Sequence, residues 1–197
     1  KSPEPTPDVY PWIGASEQAV EVACARIARR LRRDPLRIVG FLAAPGVPSL
    51  LPVMVRVGRA LFAFEPRRVG IIGPWQDWDG TADEPGSLDV KGHGPVLRPL
   101  PGLGSPDLVV PPRAPDPDTA LLSLQLALRR TDDRFPQVLL DLTGWVGPSL
   151  QDVLSVAVGL TGGTAIVAAV GLTTLTDMRR TWAKVRPDKN LGVVLVG

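Results

Sequence analysis

The sequence predicts an α/β fold with three layers, in which helices cover both faces of a mostly parallel sheet of about six or seven strands. Two observations lead to this prediction. Short runs that are apolar at every position recur along the chain, as in strands that are buried on both faces. Amphipathic helical patterns separate these runs, and such alternation is typical of strand–helix–strand units.

The composition is that of an ordinary globular chain and excludes several classes of function. The 197 residues are 44% hydrophobic and 21% charged, with a net charge of +2, so no charge bias favours nucleic acid. No apolar run reaches the roughly 20 residues of a membrane span. A single cysteine, Cys24, and a single histidine, His93, argue against a disulfide framework and against a zinc site. We therefore expect a cytoplasmic chain without a metal or another cofactor.

The chain divides into a leader and one domain. Residues 1–14 contain four prolines and predict an extended leader, while residues 15–197 predict a single α/β domain. The predicted helices cover 16–33, 50–64, 118–130, 149–160 and 174–185. The predicted strands cover 36–42, 68–73, 108–110, 137–142, 164–170 and 191–196, and residues 74–106 are predicted to be irregular.

Caps and apolar stripes define the helices. Val20, Cys24, Ile27 and Leu31 form one stripe of the first helix. In the second helix Pro52 is tolerable because it falls in the first turn. Asp118 is a candidate cap for the third helix, and either Thr173 or Thr174 is a candidate cap for the last. Trp182, on that last helix, is predicted to lie in the core or in a helix interface.

A loop between the first strand and the second helix lies where a phosphate-binding loop would lie. It reads Pro45-Gly46-Val47-Pro48-Ser49-Leu50. A phosphate cradle needs consecutive backbone N–H groups and a lysine. Pro48 lacks an N–H group, Ser49 carries no charge, and Leu50 has no hydroxyl that could bind Mg²⁺. The loop therefore has the position of a phosphate site without its chemistry.

Several phrases, in order, resemble the MinD/ParA class of deviant-Walker P-loop ATPases. The resemblance is closest to the bacterial tyrosine kinases of capsule and exopolysaccharide export, and it runs from about residue 16 to residue 197. The loop replaces a phrase of the type P-G-E-G-K-[ST]-[ST]. FPQVLLDLTG, residues 135–144, is similar to F-D-x-V-[IL]-[IL]-D-T-P-P, and GVVLVG, residues 192–197, is similar to G-V-V-L-N. No phrase is intact, so the ordered set carries the resemblance.

The resemblance also identifies the positions where site residues would lie. Gly73 and Trp75 stand where the family has a pair of aspartates, and Val196 stands where it has the asparagine that reads the purine. Asp141 matches the Walker B aspartate. Without a hydroxyl ligand opposite, we expect Asp141 to cap a backbone turn or to pair with an arginine.

Few nearby residues could replace the missing groups. Asp77 and Asp79 follow the second strand, but solvated loop acids are the simpler interpretation of both. Arg56 and Arg59 lie further along the second helix and would have to reach back to the loop.

These losses predict a catalytically inactive pseudo-ATPase or pseudokinase. The resemblance implies an adaptor or regulator in a bacterial envelope, motility or positioning machine, with protein partners that could belong to a membrane-associated complex. It also implies a homodimer as one assembly and recruitment to the inner membrane by a partner. Three tryptophans at the carboxyl ends of the strands could contact that partner or fill the vacated pocket, namely Trp75, Trp78 and Trp145.

Three alternatives stay open at this point. The chain could bind nucleotide atypically, through Gly46, Ser49 and Asp141 and a cation from a partner. It could instead bind another small anion at the start of the helix at Leu50. Finally, the arginine-rich stretch ARIARRLRR, residues 25–33, could bind nucleic acid or an anionic membrane, although a solvated helix face explains it as well.

Overall fold

The computed structural model describes residues 17–34, 36–73, 95–111, 116–132, 134–145 and 151–197. Within these ranges the helices are α1 (Glu17–Arg33), α2 (Leu51–Phe64), α3 (Pro117–Asp132), α4 (Gln151–Leu160) and α5 (Leu175–Trp182). The strands are β1 (Ile38–Ala43), β2 (Val69–Ile72), β3 (Val96–Pro99), β4 (Asp107–Val110), β5 (Gln137–Asp141), β6 (Gly163–Ala169) and β7 (Asn190–Val196). The predicted leader, residues 1–14, lies outside the described residues.

One seven-stranded sheet contains all of these strands, in the order β3-β4-β2-β5-β1-β6-β7. Every neighbouring pair is parallel except β3 and β4, which are antiparallel. The predicted α/β fold with a mostly parallel sheet is therefore confirmed. β3 falls in a stretch that was predicted to be irregular, and that prediction is wrong: Pro99 is accommodated because β3 is an edge strand.

Alternate residues of β1 enter two separate cores. Val39 and Phe41 point into the core under α1 and α2, whereas Ile38 and Leu42 contribute to the core that includes residues of α3 and α4. Side chains alternate between the faces of a strand, so an entirely apolar strand must be covered on both sides. This arrangement gives the three layers, with β1 near the centre of the middle one.

The start of α3 and the end of α5 differ from the sequence prediction in ways that have a physical reason or consequence. α3 begins at Pro117, and Asp116 caps it: Asp116 Oδ1 accepts a hydrogen bond from Thr119 N at 2.9 Å and Oδ2 accepts one from Thr119 Oγ1 at 2.7 Å. The prediction of Asp118 as the cap is therefore wrong, because proline is favoured at the first helical position and the cap precedes it. α5 ends at Trp182 rather than at residue 185. Trp182 is 44% exposed, so the prediction of a buried position is also wrong.

None of the helices in the described ranges combines the length and the apolar character needed to cross a bilayer.

Gly40 lies in the centre of the sheet, where a side chain has no room. A Cβ atom there would lie 2.7 Å from Leu142 Cδ1 and 3.0 Å from both Thr161 Cγ2 and Thr164 Oγ1. We expect Gly40→Ala to lower the free energy of unfolding by about 1–3 kcal/mol, as overpacking usually does. Gly159 is the matched control, because nothing lies within 4 Å of its added Cβ. In that exposed helical position Gly159→Ala should stabilise the chain by roughly 0.5–1 kcal/mol. Urea unfolding measures both, and equal effects would contradict the packing around Gly40.

Cys24 is buried between α1 and α2, with its Sγ atom 3.9 Å from the carbonyl oxygen of Val53. Burial raises the pKa of the Cys24 thiol to about 11; nearby Glu21 adds to the rise and Arg56 opposes it. Since the thiolate is the reactive form, we expect a thiol reagent at about pH 8 to label the folded chain slowly and the urea-unfolded chain promptly. Absorbance of the released chromophore follows the reaction. Prompt labelling of the folded chain would contradict the close packing of the two helices.

Candidate functional site

The connections that follow three adjacent strands, β5, β1 and β6, lead to opposite faces of the sheet. β1 leads to α2 on one face of the sheet, whereas its neighbours β5 and β6 lead to α4 and α5, which contribute to the core of the other face. Connections that diverge in this way leave a crevice at the carboxyl edge, where open α/β sheets bind their ligands. The candidate site is therefore the crevice beyond β1.

A cavity of about 350 Å³ occupies this crevice. It is lined by residues 43–47 of the β1–α2 connection, by Thr143 after β5, and by side chains in or just after α5. The last group consists of Asp177, Arg180, Thr181 and Lys184. The loop that was singled out in the sequence is thus one wall of a real cavity.

The backbone of the loop offers few N–H groups to a ligand. Val47 N donates to Ala44 O at 3.2 Å, and Leu51 N donates to Ser49 Oγ at 3.3 Å. Pro45 and Pro48 have no N–H at all. Four of the seven positions from 45 to 51 therefore offer no free N–H group to a ligand. The row of free donors that cradles a phosphate in a P-loop is interrupted here.

The turn between β6 and α5 lies directly against the loop. Gly46 has a positive φ of 94°, and a Cβ atom on it would lie only 2.9 Å from Leu172 Cβ. Thr173 Oγ1 donates a hydrogen bond to Pro45 O at 2.8 Å. The loop is therefore fixed by protein contacts on the side that faces this turn.

Apolar packing holds the start of α2. Leu50, which precedes the helix, is buried in the core under α1 and α2, and its side chain makes no capping hydrogen bond. Leu51 packs against the same core. These two positions would carry the metal-binding and phosphate-binding hydroxyls in the family. Here they are part of the hydrophobic core.

The buried carboxylate of Asp141 caps a turn at the end of β5. Its Oδ1 accepts a hydrogen bond from Thr143 N at 2.7 Å, and Thr143 Oγ1 accepts one from Ala43 N at 3.2 Å. Asp141 and Thr143 thereby link the end of β5 to the end of β1. The sequence had left turn capping and arginine pairing as alternatives for Asp141, and this geometry is that of the turn cap.

The cations near the loop are not those that the sequence suggested. Arg56 is paired with Glu21 at 3.0 Å and with Glu17 at 3.2 Å. Arg59 donates to Ser105 Oγ at 3.1 Å and to the carbonyl oxygen of Pro101 at 3.3 Å. Both arginines contact α1 or the region before β4, and neither lines the cavity.

Arg180 and Lys184 line the cavity instead, and sequence analysis missed them. The one signal that could have found them is the Thr-Thr helix start. It places α5 beyond the carboxyl end of β6, the neighbour of β1 in the sheet.

A capping box fixes the start of α5. Thr174 Oγ1 accepts a hydrogen bond from Asp177 N at 3.1 Å, and Asp177 Oδ2 accepts one from Thr174 N at 3.3 Å. Of the two candidate caps, Thr174 is therefore the one used, which leaves Thr173 to hold Pro45. Hydrogen bonds from the Thr174 side chain and backbone lower the pKa of Asp177.

The remaining predicted positions are spread around this edge. Gly73 is buried at the end of β2. Val196 pairs with Ala169 at the end of β7, and its carbonyl oxygen accepts a hydrogen bond from Val170 N at 2.7 Å. Trp145 ends a short 3-10 turn, Thr143–Trp145.

Trp75, Trp78, Asp77 and Asp79 lie outside the described residues. Within the part of the chain that the structure covers, no cluster of three or more histidine, cysteine or acidic residues could hold a metal ion.

Solved structures of bacterial tyrosine kinase domains are among those that share this fold. The BceF tyrosine kinase domain aligns with a TM-score of 0.60 at 16% identity, covering 91% of this chain and 76% of its own. The kinase domain of the Escherichia coli tyrosine kinase ETK gives 0.57 at 16% identity, covering 86% and 74%. The chimerical protein CapA2B2 gives 0.60 at 12% identity, covering 90% and 83%.

Neither the protein-family models nor the curated proteins yield a match. The structural alignments show that the chain has the fold of the bacterial tyrosine kinase domains, which are deviant-Walker P-loop ATPases of the MinD/ParA type. The resemblance predicted from the ordered motifs is confirmed at the level of the fold.

The capping box predicts a pH-dependent stability. Because the pKa of Asp177 is lowered in the folded chain, its contribution is complete above the pKa of an unfolded aspartate and is lost as the pH falls through the lowered value. We expect Asp177→Asn to lower the Tm most near neutral pH and progressively less between about pH 5 and pH 3. Thermal unfolding followed by circular dichroism measures this difference. A difference that is constant over this range would contradict a charge-dependent cap.

Proposed function

We propose that this chain is a catalytically inactive pseudo-ATPase that acts as a protein-interaction adaptor or regulator. The observation that carries the proposal is the β1–α2 loop, which has no lysine, has few free N–H groups, and is held by Thr173 and Leu172 of the neighbouring turn. Phosphoryl transfer depends on positioning the phosphates and neutralising their charge. The loop provides little of either.

The other catalytic groups are committed to structural contacts. Leu50 and Leu51 pack in the core, and Asp141 Oδ1 caps the turn at Thr143. Loss of a single preorganised donor costs an enzyme about 10²–10³-fold in kcat. This site differs from an active one at several such positions at once, so inactivity is the simplest account of their chemistry.

An adaptor needs a contact surface, and exposed apolar side chains lie in α5 and in the turn before it. Leu172 and Leu175 are 68% and 70% exposed, and Trp182 is 44% exposed. Leu172 lies against Gly46 of the loop, whereas Leu175 and Trp182 share the face of α5 opposite its cavity-lining residues. Exposed apolar side chains of this kind are typical of protein interfaces. The family resemblance implies a bacterial envelope, motility or positioning machine as the setting. In that setting the chain would be cytoplasmic, and a membrane-associated partner would recruit it to the inner membrane; a homodimer is one assembly to test.

One observation favours a second candidate, an atypical nucleotide-binding protein. Arg180 and Lys184 line the same cavity as Gly46. Two cations there could neutralise part of a phosphate charge, in place of the absent lysine of the loop.

Calorimetric titration of the purified chain with Mg-ATP and Mg-ADP separates the two candidates. We expect no saturable heat at nucleotide concentrations up to about 1 mM, which corresponds to binding weaker than about −4 kcal/mol. Ser49→Lys should not restore binding, because Pro48 still lacks a donor and Leu50 still replaces the hydroxyl. Micromolar binding that is lost in Arg180→Ala or Lys184→Ala would contradict the pseudo-ATPase and assign the site to the second candidate.

A further inference from the structure

A second cavity lies at the opposite edge of the sheet, where β1, β2 and β5 begin. It has a volume of about 230 Å³, and we name it the lower pocket. Its apolar wall comes mainly from the carboxyl ends of α1 and α2 and from the start of β2, through Leu31, Leu36, Leu61, Phe64 and Val69. Leu31, Leu61 and Val69 are buried core residues, whereas Phe64 is 37% exposed. The pocket therefore opens from the hydrophobic core to the surface.

Arginines dominate the charged residues that line the lower pocket. Arg32, Arg37, Arg67 and Arg68 line it together with a single acid, Glu65. Arg67 contacts Glu65 at 2.6 Å, and Arg68 contacts Asp107 at 2.6 Å. A guanidinium has more N–H donors than one carboxylate oxygen can occupy. Since the side chains of Arg67 and Arg68 are both exposed, their remaining donors can reach a ligand at the mouth.

Arg32 has no carboxylate within salt-bridge distance in the described part of the chain. Its guanidinium instead lies 5.8 Å from the centre of the Phe64 ring, which is a cation–π distance. Arg32 therefore places an uncompensated positive charge beside the exposed aromatic side chain of the pocket.

Further arginines of α1 add positive charge near the carboxyl end of that helix. Arg26, Arg29, Arg30 and Arg33 line a separate surface depression with Asp34. Within the residues that the structure covers, no salt bridge involves Arg26, Arg29 or Arg33, and Arg30 donates to the carbonyl oxygen of Leu191 at 2.9 Å. Positive charge of this kind attracts acidic partners over a distance of about one Debye length, which is roughly 8–10 Å.

We propose that the lower pocket docks an acidic peptide segment of a partner protein, with one apolar side chain of that segment inserted between Phe64 and Leu61. Charge complementarity identifies the occupant, because carboxylates match the guanidinium fork and an apolar anchor matches the walls. The volume fits a single large side chain better than a cofactor, since cofactor sites usually have about 300–1,000 Å³. The concave apolar wall also favours an inserted side chain over a flat membrane surface.

This inference rests on the proposed adaptor role and specifies the chemistry of its partner. The probe is a fluorescein-labelled acidic peptide with one central phenylalanine among aspartates and glutamates, and fluorescence anisotropy measures its binding to the full chain. Replacing the phenylalanine by glycine should weaken binding about tenfold, as expected when an interface anchor is removed. A peptide with lysines in place of the acids should not bind.

The variant that tests the site is the double charge reversal Arg32→Glu and Arg67→Glu. Its matched control is Arg129→Glu with Arg179→Glu, which changes the net charge equally at exposed positions outside the lower pocket. We expect the dissociation constant to rise about tenfold or more in the first variant and to change little in the second. If the first variant does not fold, as judged by circular dichroism, the milder Arg67→Ala replaces it, with Arg179→Ala as its control.

Three outcomes would overturn the proposal: equal weakening in the two double variants, no binding of the acidic peptide, or stronger binding to vesicles with phosphatidylglycerol than to the peptide. The nucleotide titration separates this failure from that of the proposed pseudo-ATPase. A chain that binds neither nucleotide nor peptide contradicts only the lower-pocket proposal. A chain that binds nucleotide contradicts the pseudo-ATPase whatever the peptide does.

Discussion

The right-handed sense of parallel crossovers decides where everything else in this molecule lies. The connection from β1 to β2 runs towards one edge of the sheet, whereas those from β4 to β5, β5 to β6 and β6 to β7 run towards the other. A right-handed crossover that reverses its direction must also change face. That requirement puts α2 on one face and α3, α4 and α5 on the other. The crevice beyond β1 is the result.

The same constraint brings distant segments together at the crevice. Pro45, Thr143 and Thr173 follow three adjacent strands, and hydrogen bonds link the end of β1 to the turn after β5 and the β1–α2 loop to the turn after β6. In an active P-loop the ligand satisfies the donors of the loop. Here two prolines remove donors from the loop, internal hydrogen bonds engage the N–H groups of Val47 and Leu51, and Leu172 lies close against Gly46.

Much of the fold could be predicted from sequence because its signals are local. Runs such as RIVGFL and TAIVAAV identify β1 and β6 by apolar content alone. β3 was not predicted because it is a short edge strand that contains Pro99 and has little apolar signal of its own. Asp118 was predicted as the cap of α3, whereas Asp116 is the observed cap. Two aspartates flank Pro117, and the backbone conformation decides which of them precedes the helix.

Only those parts of the site that belong to a known sequence motif could be predicted. Pro48, Ser49 and Leu50 can be interpreted against a known pattern of residues, so the loss of the lysine and of the hydroxyl is visible in the sequence. Leu172, which lies against the loop, and the cations Arg180 and Lys184 are more than 120 residues away from the loop in the sequence. Only the strand order makes them neighbours, and no local pattern encodes that order.

The loop is also stable for reasons that do not involve a ligand. In a P-loop the converging N–H dipoles and the lysine repel one another until a phosphate arrives, so nucleotide binding and loop stability are linked. In this chain the converging donors are reduced, the lysine is absent, and Leu50 anchors the start of α2 in the core. The loop is therefore complete without an anion. The proposed pseudo-ATPase would therefore keep this loop in place without nucleotide.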